Sequence, residues 1–266
     1  MKFEGHAAWI TGGGTGIGKA LALELARQGA DVAISGRRQD KLDEVAHEVE
    51  ALGRKALPLT CNVRDEGQLE AVVDRIAREL GKLDVAVANA GFAVGGPIES
   101  LSAERLRNQL DVNVVGAAMT AKHALTYLRR SEGRLGLVGS IAAFTPLAKN
   151  GAYCASKAAL RAIGQTLAIE LAGTGVSVTT MHPGFVASEI AQVDDDGVHH
   201  PDRQDKRPQN LMWPADKAAR VMVKALYKRK TEFVFTGHGK VGAAIGQHWP
   251  GLVMFAQSQQ RKRKRR

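Results

Sequence analysis

Cysteine, tyrosine and long apolar runs are all scarce in this chain of 266 residues. Two cysteines, Cys61 and Cys154, do not suggest a disulfide framework. No apolar run approaches the ~20 residues that span a bilayer as a helix. No charged-then-apolar leader opens the chain, so a cytoplasmic protein is expected. No internal repeat is visible, and the length suits one large α/β domain. Lys and Arg outnumber Asp and Glu by 37 to 27, a formal net charge of +10. The last six residues, Arg261 to Arg266, supply six of those charges and leave +4 for the rest. The body of the chain is therefore not a notable polyanion binder.

Only three tyrosines are present, and only Tyr153 has a lysine, Lys157, at the fourth following position. On a helix that spacing puts both side chains on one face, about 6 Å apart along the axis. Tyrosine is a poor acid or base near neutrality, with an ordinary pKa near 10. A neighbouring ammonium stabilises the phenolate, which makes the pair suitable for moving a proton at a carbonyl or alcohol oxygen. Alone, the spacing equally fits a half-buried tyrosine beside a solvated lysine. Ser140 ends an apolar run (Leu135, Leu137, Val138) just upstream. Cys154, next to Tyr153, reads as a small helix residue because no cysteine–histidine pairing accompanies it.

Near the N-terminus, the apolar run Ala7–Ile10 precedes Thr11-Gly12-Gly13-Gly14-Thr15-Gly16-Ile17-Gly18, and a helical pattern follows. Strand, glycine turn and helix form the setting of a dinucleotide fingerprint. Glycine lets the backbone approach a pyrophosphate, and the helix start offers unpaired N–H groups. Strands are expected at 7–11, 31–35, 56–60, 85–88, 135–139, 177–181 and 232–235. Helices are expected at 16–28, 41–52, 68–80, 104–129, 153–171 and 215–228. This alternation predicts an α/β fold of the Rossmann type, a doubly wound sheet of about seven mostly parallel strands with helices on both faces. A single domain is expected over 1–256, with a substrate loop at 188–214, a C-terminal extension at 237–256 and a basic tail at 257–266.

With Thr11 to Gly18, Asn89-Ala90-Gly91, Asn113, Ser140, Tyr153 with Lys157, and Pro183-Gly184 in order, the chain resembles the short-chain dehydrogenase/reductase superfamily over about 3–235. The resemblance implies a nicotinamide-dependent oxidoreductase that interconverts a ketone or aldehyde and an alcohol, and a homodimer or homotetramer. It assigns Ser140 to orient the substrate oxygen and Tyr153 to exchange its proton. Lys157 lowers the tyrosine pKa and holds the nicotinamide ribose, and Asn113 kinks its helix and holds a relay water. From residues alone, Asn113 equally fits a buried, satisfied amide. The cofactor residues implied are Gly12, Thr15, Gly16, Ile17, Gly18, Arg37, Arg38, Asn62, Val63, Asn89, Ala90, Gly91, Tyr153, Lys157, Pro183, Gly184, Val186 and Ser188. Two positions depart from the family pattern. Asn62 stands where aspartate usually faces the adenine amino group, and Ser188 stands where threonine is usual.

The second strand ends in Ser35-Gly36-Arg37-Arg38, with no acid between Asp31 and Asp40. An acid there would hold the ribose of NAD, whereas an arginine suits the 2′-phosphate of NADP. NADP(H) is therefore favoured over NAD(H), and with that cofactor the family resemblance implies carbonyl reduction as the direction. The alternative is a pair of solvated turn arginines and an unselective site. Phe92, Ala93, Val94, Ile141, Ala142, Phe144, Leu147, Phe185 and Ile190 are candidate pocket walls or core. They carry no carboxylate-binding arginine, so a hydrophobic small-molecule substrate is expected. Asp194, Asp195, Asp196, His199 and His200 raise the question of a metal, but consecutive residues rarely converge on one ion, and a solvated loop is preferred. The apolar stretch 241–255 before the basic run fits first a segment packed on a partner subunit or over the pocket. An anionic membrane surface comes second, and nucleic acid, an unlikely partner, third. The competing class is a catalytically idle NADP-binding or scaffolding protein that makes contacts through its basic tail.

Overall fold

The structure, a computed structural model, describes residues 1–194, 198–205 and 207–263, with backbone alone for 260–263. Seven strands, β1 (Ala7–Thr11), β2 (Asp31–Gly36), β3 (Ala56–Thr60), β4 (Val85–Ala88), β5 (Arg134–Val138), β6 (Ser177–His182) and β7 (Glu232–Val234), form one sheet. Its order is β3-β2-β1-β4-β5-β6-β7, and every pairing is parallel rather than most of them. The helices are α1 (Gly16–Arg27), α2 (Gln39–Ala51), α3 (Glu66–Leu80), α4 (Ala103–Leu110), α5 (Ala117–Leu128), α6 (Gly151–Glu170), α7 (Ala215–Tyr227), α8 (Gly237–His248) and α9 (Pro250–Arg263).

The strands are apolar on both faces because both faces are covered. Along β1, Ala8 and Ile10 join one core with α1, α2 and α7, while Trp9 joins the other with α3, α5 and α6. β4 divides in the same way, Val85 and Val87 against Ala86 and Ala88. This is the two-residue alternation of a strand seen from both sides. The sheet order reverses between β1 and β4, and in such sheets ligands sit outside the carboxyl ends at that reversal.

The single long helix expected at 104–129 is broken into α4, a π-helical segment Asp111–Gly116, and α5. Asn113 lies in that segment. Its side-chain oxygen accepts from Phe92 N at 3.1 Å, and its amide nitrogen donates to Phe92 O and Ser156 Oγ. A wide helical turn at a buried polar contact of this kind is a recognised place for a π-bulge. The 188–214 stretch is more structured than a plain loop. It has short 3₁₀ turns at Glu189–Gln192 and Gln209–Leu211, and isolated bridges pair Val186 with Trp213 and Val193 with His199. The C-terminal extension is helical, as α8 and α9. Among the described residues, no helix is long and apolar enough to cross a membrane. Asp195 and Asp196, raised as metal ligands, and 264–266 of the basic run lie outside the described residues.

Candidate active site

The glycine turn is built by close approach. A Cβ on Gly18 would lie 2.0 Å from Gly12 O, and one on Gly12 would lie 2.9 Å from Ala90 Cα. Gly12 and Gly16 also take positive φ values of 64° and 53°. Asn89 ties the turn to the end of β4: its Nδ2 donates to Thr11 O at 2.9 Å and Gly12 O at 3.1 Å. Thr11 Oγ1 accepts from the backbone N–H groups of Asn89 and Ala90. Among the described residues no side chain caps the start of α1, so its first N–H groups face the turn.

A cleft of about 300 Å³ runs from this turn across the sheet's carboxyl edge. Gly12, Thr15, Gly16, Ile17, Gly18, Arg37, Arg38, Asn62, Val63, Asn89, Ala90, Gly91, Ser140, Tyr153, Lys157, Pro183, Gly184, Val186 and Ser188 all line it. Asn113 does not; it is buried behind Phe92. The side-chain oxygen of Asn62 accepts from Arg64 N at 3.2 Å. Of the expected walls, Phe92 and Ile190 line the cleft, whereas Val94 and Ala142 are core.

Ser140 lies two residues past the end of β5, and its hydroxyl accepts from Ala142 N at 3.1 Å. Lys157 is buried and donates to Val138 O at 2.8 Å, with its Nζ 5.8 Å from the centre of the Tyr153 ring. Burial pulls the Lys157 pKa down to about 8. Burial pushes the Tyr153 phenol up, and the opposing pulls come from the Ser140 hydrogen bond and the charge of Arg207. The groups that pull the phenol down are Ser140 and Arg207, where the sequence expectation named Lys157. The lysine ammonium is turned onto a backbone carbonyl.

Three residues in or beside the cleft escaped the sequence reading. Arg207 lines it and pins the loop by donating to Val186 O, Ser188 O and Asp205. Its Nε, Nη1 and Nη2 are all engaged by these loop partners, so it is not an open carboxylate-binding wall arginine. Glu189 reaches from the loop to Arg38 at 2.8 Å, and Arg38 also donates to Thr15 Oγ1 at 3.3 Å. His238, from α8, accepts from Phe185 N at 3.2 Å and stacks on that ring. A Cβ on Gly184 would lie 2.3 Å from His238 Nε2, so that glycine also serves the packing of α8. Glu189 and His238 act across 151 and 53 positions, while Arg207 ties together parts of its own loop.

Fold and cleft together define a Rossmann-type nucleotide-binding oxidoreductase. The chain belongs to the short chain dehydrogenase family, whose sequence model matches residues 6–198. It is 41% identical over 189 residues to an uncharacterized oxidoreductase of Myxococcus xanthus, covering 70% of this chain and 74% of that one. A short chain dehydrogenase of Burkholderia cenocepacia J2315, solved in complex with NADP, is 30% identical with a TM-score of 0.78. That match covers 90% of this chain and 100% of the other. An alcohol dehydrogenase of the archaeon Thermococcus sibiricus, complexed with 5-hydroxy-NADP, is 27% identical with a TM-score of 0.75. It is covered over 95% of its length by 86% of this chain.

Proposed function

We propose that this enzyme is an NADP(H)-dependent reductase that turns a hydrophobic ketone or aldehyde into an alcohol. The observation that carries the reading is the meeting of Ser140, Tyr153 and Lys157 in the same cleft as the glycine turn. The glycine cradle, which any Cβ at Gly18 would fill, suits a pyrophosphate, and Arg37 and Arg38 suit a 2′-phosphate. The bound nicotinamide supplies the hydride. Ser140 would hold the substrate oxygen, Tyr153 would give it a proton, and Lys157 would hold the nicotinamide ribose. Asn113 keeps Phe92 and Ser156 in register beside Gly91. NADP in the names of two solved relatives supports the cofactor choice. A cytoplasmic homodimer or homotetramer acting on a small molecule remains part of this proposal.

The test is a panel of carbonyls and alcohols with both nicotinamide cofactors, read at the reduced-nicotinamide absorbance. Tyr153→Phe removes only the hydroxyl. Turnover is expected to fall ~10²–10⁴-fold with cofactor affinity little changed. Near-normal turnover by that variant would remove Tyr153 from the proton step.

A second reading concerns the C-terminus, where Trp249, Leu252, Met254 and Phe255 are all more than half exposed just before the basic run. Apolar and aromatic side chains beside clustered cations suit an anionic lipid surface.

A further inference from the structure

Behind Ser140 lies a buried titratable group that the proposed reaction does not use. His182, the last residue of β6, is fully buried. Its Nδ1 lies 3.1 Å from the Ser140 carbonyl oxygen, and its Nε2 lies 3.0 Å from Glu232 Oε1 on β7. Both oxygens can only accept. A neutral imidazole has one N–H, so either tautomer would aim a ring lone pair at an oxygen. Arg161 on α6 forks onto Glu232, with contacts of 2.6 Å and 3.2 Å. Burial opposes ionisation of that carboxyl, but Arg161 and His182 together hold it below its ordinary range.

The other groups facing His182 are the edge of the Phe144 ring at 4.8 Å and, beyond it, Arg161 stacked 4.3 Å from the same ring. Burial, helped by the charge of Arg161, outweighs the upward draw of Glu232 and the Ser140 carbonyl and holds the imidazole below its ordinary value; the two accepting oxygens on either side of the ring are the geometry that argues for the second proton. Space is also set aside for the ring: a Cβ on Gly139 would lie 2.5 Å from Nδ1. Arg161 stands one helical turn beyond Lys157 and two beyond Tyr153 on α6. The chain of contacts Arg161–Glu232–His182–Ser140 therefore ties the helix that carries Tyr153 to the backbone that carries Ser140.

We infer that His182 is a positioning residue for Ser140, held as an imidazolium that gives one ring N–H to the Ser140 carbonyl and the other to Glu232. Its effect on turnover rests on the role proposed for Ser140, whereas its charge state does not. Nitrogen NMR of ¹⁵N-histidine-labelled full-length protein tests the charge state, with His182→Asn used to assign the signal. Both ring nitrogens are expected to be protonated at pH 7, and a neutral tautomer there would overturn the inference. Glu232→Gln keeps the shape but removes the carboxylate. The ring is then expected to become neutral, the Ser140 carbonyl ¹³C shift to move, and kcat to fall about 10- to 100-fold at unchanged cofactor affinity. An unmoved Ser140 signal, or an unchanged kcat with a neutral ring, would overturn the positioning role. A parent enzyme without turnover on any carbonyl or alcohol would count against the proposed function, and the NMR measurements would still decide His182.

Discussion

Lys157 is the costliest charge in the cleft. Its ammonium is buried and donates to Val138 O. Burial lowers its pKa from 10.5 to about 8. Between those two values the unfolded chain holds the proton and the folded chain does not, so stability rises with pH through that window. Below about pH 8 the full cost of the buried charge is present. At about 1.4 kcal/mol per pKa unit the cost is roughly 3 kcal/mol. Lys157→Met is expected to lose turnover, and the parent should gain roughly 3 kcal/mol on that variant between pH 8 and 10.5. Urea melts of both proteins at the two pH values measure it, and a pH-independent difference would refute the assignment. The pair Tyr153 and Lys157 was legible because helical spacing is local. Its pKa balance was not, because Val138 and Arg207 reach it from other elements.

The strands were legible to within about one residue at each end, because buried parallel strands leave continuous apolar runs. α8 was not. Its sequence holds four glycines in twelve residues, a poor helix former by propensity. Tertiary packing overrides that: Thr236 caps Gly239 N at 3.2 Å, and a Cβ on Gly246 would strike Phe144 O at 2.4 Å. The substrate loop hid its contacts for a related reason, since Glu189 meets Arg38 across 151 positions. That contact gives the cofactor proposal two opposed tests. Arg37→Ala should weaken NADPH binding by about one to two decades, the worth of a charge-assisted hydrogen bond, and NADH binding far less. Glu189→Gln frees Arg38 from a half-exposed ion pair of about 0–1 kcal/mol, so NADPH should bind up to about fivefold tighter with NADH unchanged. Titration by nicotinamide fluorescence reads both. Equal changes for the two cofactors would show that neither residue senses the 2′-phosphate.

Charge is spread unevenly over the whole molecule, and the tail carries most of its excess. The six terminal cations lie beyond every residue that lines the cleft. α9 begins with a cluster of exposed apolar side chains and includes the first three of those cations, and it touches the body through Gln257, which donates to Pro146 O. Removing Arg261 to Arg266 should therefore leave turnover on a soluble substrate unchanged while weakening attachment to acidic vesicles. Each basic residue near such a surface contributes about 1 kcal/mol, and the attraction fades over a Debye length of ~10 Å at 0.1 M salt. Cosedimentation with vesicles rich in anionic lipid, at low and high salt, measures it. The full chain should bind at low salt and release at high salt, and the truncated chain should bind weakly at both. Equal binding by the two proteins would leave the exposed side chains of α9, or nothing at the C-terminus, as the contact. Lost turnover in the truncated protein would instead tie the tail to the cleft or to a subunit interface, because Ala148 and Pro146, both bonded by Gln257, lie on the segment between Ser140 and Tyr153.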